Sequence, residues 1–164
     1  MSKVPFLNRL GPSYSLLVID AQPIFSAANS TSLIRSIRSE ILTAKQAKAP
    51  IVFVEFALKH IAPQVGQTHQ TLLDAAAGSD FSIVAKKSQS GATEVNQHYR
   101  RYFAKLPPLR VCGVNTEMCV LDTVEGLKKL GWENITIASS ACNSDANHQV
   151  GLNLLKKIPG VYLA

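Results

Sequence analysis

Among the side chains that could do chemistry, Cys119 occupies the most telling position. It follows Gly113-Val-Asn-Thr-Glu-Met118 and precedes an apolar stripe at helical spacing, Val120, Val124, Leu127 and Leu130. That order reads as a strand running directly into a helix, with the thiol in the first helical turn. Unpaired amides and the helix dipole at such a place favour a thiolate, and the same amides can donate to a developing oxyanion. Cys112, in mid-strand, and Cys142, read as a loop residue, have the surroundings of inert thiols instead. Two charged residues close other strands. Asp20 ends Ser15-Leu-Leu-Val-Ile-Asp20, where a carboxylate also serves as the cap of a following turn. Lys86 ends Ser82-Ile-Val-Ala-Lys86, and a lone lysine there is ordinarily just solvated.

The elements that must position these residues alternate strictly. Almost wholly apolar or β-branched runs mark strands at 15–20, 51–56, 82–86, 110–114, 135–139 and, as an edge, 161–163. Between them lie amphipathic stripes: Leu33, Ile34, Ile37 and Ile41 behind Asn29-Ser-Thr31; Val95, Tyr99, Tyr102, Phe103 and Leu106; the stripe after Cys119; and Val150, Leu154, Leu155 and Ile158. Pro107-Pro108, Gly131 and Pro159-Gly160 end the last three. A further short helix is expected around 70–76, inside the long connection 57–80. The expected fold class is α/β: a three-layer αβα sandwich around a parallel, Rossmann-like, doubly wound sheet of five to six strands. Such sheets bind ligands outside the carboxyl ends of their strands, where Asp20, Lys86 and Cys119 fall.

The chain has 164 residues, enough for one domain spanning 1–164 with a core that needs no staples. With 46% hydrophobic and 17% charged residues the composition is globular, which excludes disorder. No apolar run approaches the roughly 20 residues of a membrane span. Met1 to Arg9 lacks the apolar stretch of a signal peptide, so a cytoplasmic location is expected. Three cysteines without CxxC spacing argue against a disulfide framework and a structural zinc site. The net charge of +6 invites a nucleic-acid reading, but basic residues never run beyond pairs and no aromatic residues interleave with them. No nucleic acid and no membrane are expected as partners. A nucleotide-binding Rossmann domain is excluded too, because Asp-Ala-Gln-Pro, with no glycine loop, follows the first strand.

The stretch Val111-Cys-Gly-Val-Asn-Thr-Glu-Met-Cys-Val120 closely resembles the nucleophile signature of the isochorismatase-like cysteine hydrolases, among them nicotinamidases, N-carbamoylsarcosine amidases and ureidoacrylate amidases. Leu17-Val-Ile-Asp-Ala-Gln-Pro-Ile-Phe25 resembles the family's Asp-x-Gln-x-x-Phe element. Ile83-Val-Ala-Lys-Lys-Ser-Gln-Ser-Gly91 resembles its Lys-x-x-x-Ser element, with Ala92 where an aromatic usually stands. The resemblance implies Cys119 as nucleophile, Asp20 as general base and Lys86, chosen over Lys87 because it keeps Ser90 four residues on, as the orienting cation. A lysine between thiolate and carboxylate would relieve their like-charge repulsion. It also implies a cis peptide between Val114 and Asn115 and an oxyanion hole formed by the backbone N–H groups of Asn115 and Cys119. The implied reaction is hydrolysis of a small amide, carbamoyl or ureido C–N bond through a thioester.

Departures from the family pattern limit that reading. The aspartate and histidine metal cluster of nicotinamidases has no counterpart in Val54-Glu-Phe-Ala-Leu-Lys-His-Ile-Ala-Pro63, and His60 and His69 suit no standard zinc spacing. They are expected to be surface or loop residues, with no catalytic metal and no cofactor. The family's Asp-Ala after strand five is Ser140-Ala141 here; His148 is expected to pack or cap, and His98 to be exposed. Phe25, Phe56 and Leu58 are candidates for an apolar substrate wall, each also compatible with plain core packing. The chain is short for the family, so a shallow or partner-completed pocket is expected, and with it a homo-oligomer. The rival function is a catalytically silent family member acting as an interaction or redox-sensing module.

Overall fold

The structure is a computed structural model that describes residues 13–164. The segment Met1–Arg9, read above for a leader, lies outside the described residues. Six strands form one sheet: β1 (Ser15–Ile19), β2 (Ile51–Phe56), β3 (Phe81–Lys86), β4 (Leu109–Val114), β5 (Ile135–Asn143) and β6 (Val161–Leu163). Every pairing is parallel and the spatial order is β3-β2-β1-β4-β5-β6. All five residues of β1 are buried, as a central strand covered on both faces requires.

The helices are α1 (Thr31–Gln46), the single turn α2 (Pro63–Gly66), α3 (Gln70–Ala76), α4 (Ala92–Tyr102), α5 (Leu121–Lys129) and α6 (His148–Lys156). α1 packs with α3, while α4, α5 and α6 stand in a row against one another. Leu33, Ile37, Ile41 and Ala44 carry the buried face of α1, and Ser30 caps it by accepting from the Leu33 N–H. Because the chain winds outward from β1 through β2 to β3 and then returns to place β4 on β1's other side, the strand order reverses between β1 and β4. The carboxyl ends of these two strands therefore flank the crevice typical of doubly wound sheets. Close approach there depends on Gly113: its φ is +127°, and a Cβ would sit 2.0 Å from the Ile19 carbonyl oxygen.

Three local readings need correction. The fifth strand does not stop at Ser139. Pairing shifts between Val111↔Ile137 and Gly113↔Cys142, so Ser140-Ala141 falls in the irregularity and the strand resumes to Asn143. Cys142 is accordingly a buried strand residue, not a loop residue. Helix α6 faces the core with Gly151, Leu152 and Leu155, leaving Val150 (51% exposed) and Leu154 (41%) outside. The reason is Gly151, whose missing side chain lets α6 touch backbone at Thr116–Glu117; a Cβ there would lie 2.6 Å from the Glu117 nitrogen. Finally, His98 is half-buried beside the rings of Tyr99 and Tyr102, and burial lowers its pKa. No helix among the described residues is long and apolar enough to cross a membrane.

Candidate active site

Asp20 follows the last residue of β1 in a left-handed conformation, φ +51°, and is 1% exposed. Its N–H donates to the Val54 carbonyl at 2.9 Å, the last rung of the β1–β2 ladder, and its left-handed backbone then turns the chain out of the sheet. Lys86 is the last residue of β3 and is fully buried, whereas Lys87 is exposed. The Lys86 ammonium lies 3.0 Å from Asp20 Oδ2 and donates to the carbonyls of Ser88 and Gln89, each at 3.0 Å. It also sits 4.4 Å from the centre of the Phe56 ring. Its aliphatic stem runs beside Val54 and Gly91, where a Cβ would crowd Lys86 Cδ at 3.1 Å.

Cys119 lies in a wide, π-type turn, Thr116–Val120, inserted between β4 and α5. The thiol is half-buried, and the charges of both Asp20 and Lys86 act on it. The peptide bond Val114–Asn115, which enters the turn, is cis. Three strand ends thus converge on one point: β1 brings the carboxylate, β3 the ammonium and β4 the thiol.

The electrostatics differ from the helix-terminus argument. Burial, followed by the charge of Asp20 and the hydrogen bond to it, pushes the Cys119 thiol up to about 12, with Lys86 pulling the other way. Burial likewise raises the Asp20 carboxyl, against the opposing pull of Lys86 and the thiol. Burial and the carboxylate together oppose the thiolate, so the thiol rests protonated.

Around this centre, Phe25 and Phe56 meet edge to face with ring centres 6.4 Å apart, and Leu58 follows two residues on, half-buried. Gln22, whose role the sequence did not disclose, is fully buried and laces the rim together. Its amide donates to the carbonyls of Phe56 (3.1 Å) and Gly66 (2.7 Å) and accepts from the Phe56 N–H (2.7 Å). Ala92 is buried against Gly126 of α5, where a Cβ would come within 2.5 Å of its own. Ser90 Oγ donates to the Asp122 carbonyl, and the Gly91 N–H to Thr123 Oγ1. The small residue at 92 is therefore matched to a close contact between the lysine-bearing segment and α5.

Two histidines flank the segments that carry this centre, His69 through its backbone N–H to the Ala21 carbonyl and His148 through Thr116. His60 is exposed, and His69 precedes α3, half-buried, with its pKa lowered by burial. His148 Nδ1 is 2.8 Å from Thr116 Oγ1, a packing role on the Thr116–Val120 turn. Among the described residues, no three His, Cys, Asp or Glu side chains group so as to hold a metal ion.

Fold and site together define a doubly wound α/β protein with a buried acid–lysine pair and a cysteine at its topological switch point. The Isochorismatase domain profile matches residues 14–162, and the chain belongs to that family. Among solved structures, the chain is similar to the MAR1 ribonuclease of Caenorhabditis elegans, with TM-score 0.77, 20% identity, and coverage of 96% of this chain and 80% of that one. It is similar to the nicotinamidase of Staphylococcus aureus, with TM-score 0.78, 17% identity, and coverage of 93% and 99%. An isochorismatase of Pseudomonas putida follows, with TM-score 0.73, 18% identity, and coverage of 93% and 88%. No curated protein matches the chain in sequence. Neighbours so differently named share the fold, so the substrate must be argued from the site.

Proposed function

We propose that the chain is a cysteine hydrolase that cleaves the C–N bond of a small amide, carbamoyl or ureido compound through a thioester on Cys119. One observation carries the reading. Asp20 and Lys86 form an ion pair buried to 1% and 0% exposure, within reach of the only thiol that is not fully packed away among the described residues. Burying such a pair gives weak stability at best, so its place at the mouth of a sheet crevice fits a working site.

The steps follow from the resting protonation. Asp20, whose ionised form Lys86 favours against burial, accepts the thiol proton as sulfur attacks the carbonyl carbon. The N–H groups of Asn115 and Cys119 receive the oxyanion. As the tetrahedral intermediate collapses, the protonated Asp20 returns its proton to the departing nitrogen, and amine or ammonia leaves a thioester. Asp20 then takes a proton from water, which attacks the thioester; a carboxylic or carbamic acid departs and the thiol is restored. Phe25, Phe56 and Leu58 supply an apolar wall for the acyl group. The histidine and acid residues present do not build a nicotinamidase-type metal cluster, and no step is routed through a metal.

The test is a panel of small primary amides, N-carbamoyl compounds and ureido acids, scored by ammonia release, with a short RNA as a further arm. At least one C–N substrate is expected to turn over in wild type and not in Cys119→Ala. Turnover that survives Cys119→Ala, or RNA cleavage alone, would refute the proposal.

A further inference from the structure

The loop between β5 and α6 binds together two segments that the proposed reaction needs in fixed relation. Asp145 is its hub. The carboxylate accepts from Ser26 Oγ and from the Ala27 N–H at 3.2 Å, while its own N–H donates to Asn115 Oδ1 at 3.3 Å. Two residues earlier, the Asn143 side-chain amide donates to the Ala27 carbonyl at 3.2 Å, and the Asn143 carbonyl accepts from Thr116 Oγ1 at 3.1 Å. One side of this clamp is the short 3₁₀ turn Ser26–Asn29, which directly follows Phe25. The other is the entrance to the nucleophile turn.

Asn115 makes the arrangement informative. It occupies the cap position of the Thr116–Val120 turn, where an asparagine side chain ordinarily accepts from the turn's own amides. Here the side chain makes no such cap bond and instead takes the Asp145 N–H from the neighbouring loop. A capping residue has been turned outward into a tertiary tether. Oxyanion donors are effective only when aimed to within a fraction of an ångström, and Asn115 contributes its backbone N–H to that task in the reaction proposed above.

We infer that Asp145 is a positioning residue: by gripping the Ser26–Ala27 turn and the Asn115 side chain together, it fixes where the Asn115 backbone N–H points beside Cys119. The inference rests on the reading that Cys119 is acylated. It does not place Asp145 in contact with substrate. Asp145 matches none of the three family elements, and its partners are 30 and 118–119 residues away.

Two probes of the same sulfur separate positioning from folding. Acylation by p-nitrophenyl acetate passes through an oxyanion; alkylation by iodoacetamide, a displacement at a saturated carbon, does not. Asp145→Ala is expected to slow the nitrophenolate burst about tenfold, a part of the roughly 100-fold that losing a whole donor costs, with Cys119 alkylation within about twofold of wild type. Asp145→Asn, whose amide oxygen still accepts from the Ala27 N–H, is expected to recover the burst to within about threefold. Asn115→Ala keeps the backbone N–H but deletes the tethered oxygen, so it should reproduce Asp145→Ala and decides the matter if that variant fails to fold. Bursts as fast as wild type in these variants overturn the positioning role, as does a slowing shared equally by alkylation. If Cys119→Ala itself bursts like wild type, the acylation reading falls, and this inference with it.

Discussion

Lys86→Met removes an ammonium while keeping the length and apolar stem that pack beside Val54 and Gly91. Two unit charges 3.0 Å apart attract by about 5 kcal/mol at the effective dielectric of ~20 that suits protein sites. That attraction offsets much of the cost of burying Asp20. Breaking a buried pair costs roughly 3–5 kcal/mol if the survivor stays charged. Asp20 can relieve this by taking a proton. Its carboxyl already lies above its ordinary value because of burial, with Lys86 the main opposing influence, so it rises further once Lys86 is gone. A carboxyl whose folded pKa exceeds the unfolded one contributes stability that is complete below the unfolded value. That contribution is lost as pH climbs through the folded value. The variant's deficit should therefore be small near the unfolded value of 3.8 and widen towards neutral and alkaline pH.

Activity should respond more sharply. A protonated Asp20 cannot accept the thiol proton, so the acid limb of the acylation profile should move to higher pH. If half of the ~5 kcal/mol is lost at the transition state, acylation near neutral pH falls about 100-fold. Urea unfolding at one acidic and one alkaline pH, together with the nitrophenolate burst across pH, measures both consequences. A variant as stable as wild type at both pH values, with an unmoved acid limb, would refute the electrostatic account of the site.

Further outcomes follow from the same geometry. Asp20→Asn deletes the charge and the hydrogen bond that help hold the Cys119 thiol near 12, while Lys86 remains; alkylation of Cys119 by iodoacetamide at mildly alkaline pH should quicken even as turnover disappears. Peptide-resolved mass spectrometry reads the first effect and ammonia release the second, and slower alkylation would contradict the sign. Gly113→Ala places a Cβ 2.0 Å from Ile19 O on a backbone with φ +127°, so a loss of more than about 3 kcal/mol, or outright misfolding, is expected in urea titration. Gln22→Ala leaves the Phe56 N–H and two carbonyls without their partner and should cost about 2–4 kcal/mol, with faster proteolysis of the 57–69 connection as a local sign.

The first and most legible layer was periodicity. β-Branched apolar runs such as 15–19 and 51–56 read as buried strands, and the stripe Leu33, Ile37, Ile41 as the inner face of a helix, because burial on a fixed period follows local order. Alternation of the two then led to a parallel, doubly wound sheet, and chemistry at strand ends led to Asp20, Lys86 and Cys119. Where a non-local contact decides, local order went astray. Which stripe of α6 turns inward was settled by Gly151 meeting the backbone at 116–117. The fifth strand runs on through Cys142 because an irregular pairing with β4 resumes beyond Ser139.

Charge shows the same division. The residue types at the site are in the sequence, but the sign of the shift on Cys119 is not. A helix-end position, which spacing does reveal, argues for the thiolate; burial and a carboxylate delivered from β1, almost a hundred residues away, push the thiol's pKa up. Spacing to Ser90 does pick out Lys86, the buried lysine, over the exposed Lys87, but it does not reveal that Asn115 is tethered to Asp145 instead of capping its own turn. Local sequence thus determined which elements form and which side chains reach the strand ends. Tertiary packing alone decided how those side chains share protons, because desolvation and Coulomb energy depend on what the rest of the chain places beside them.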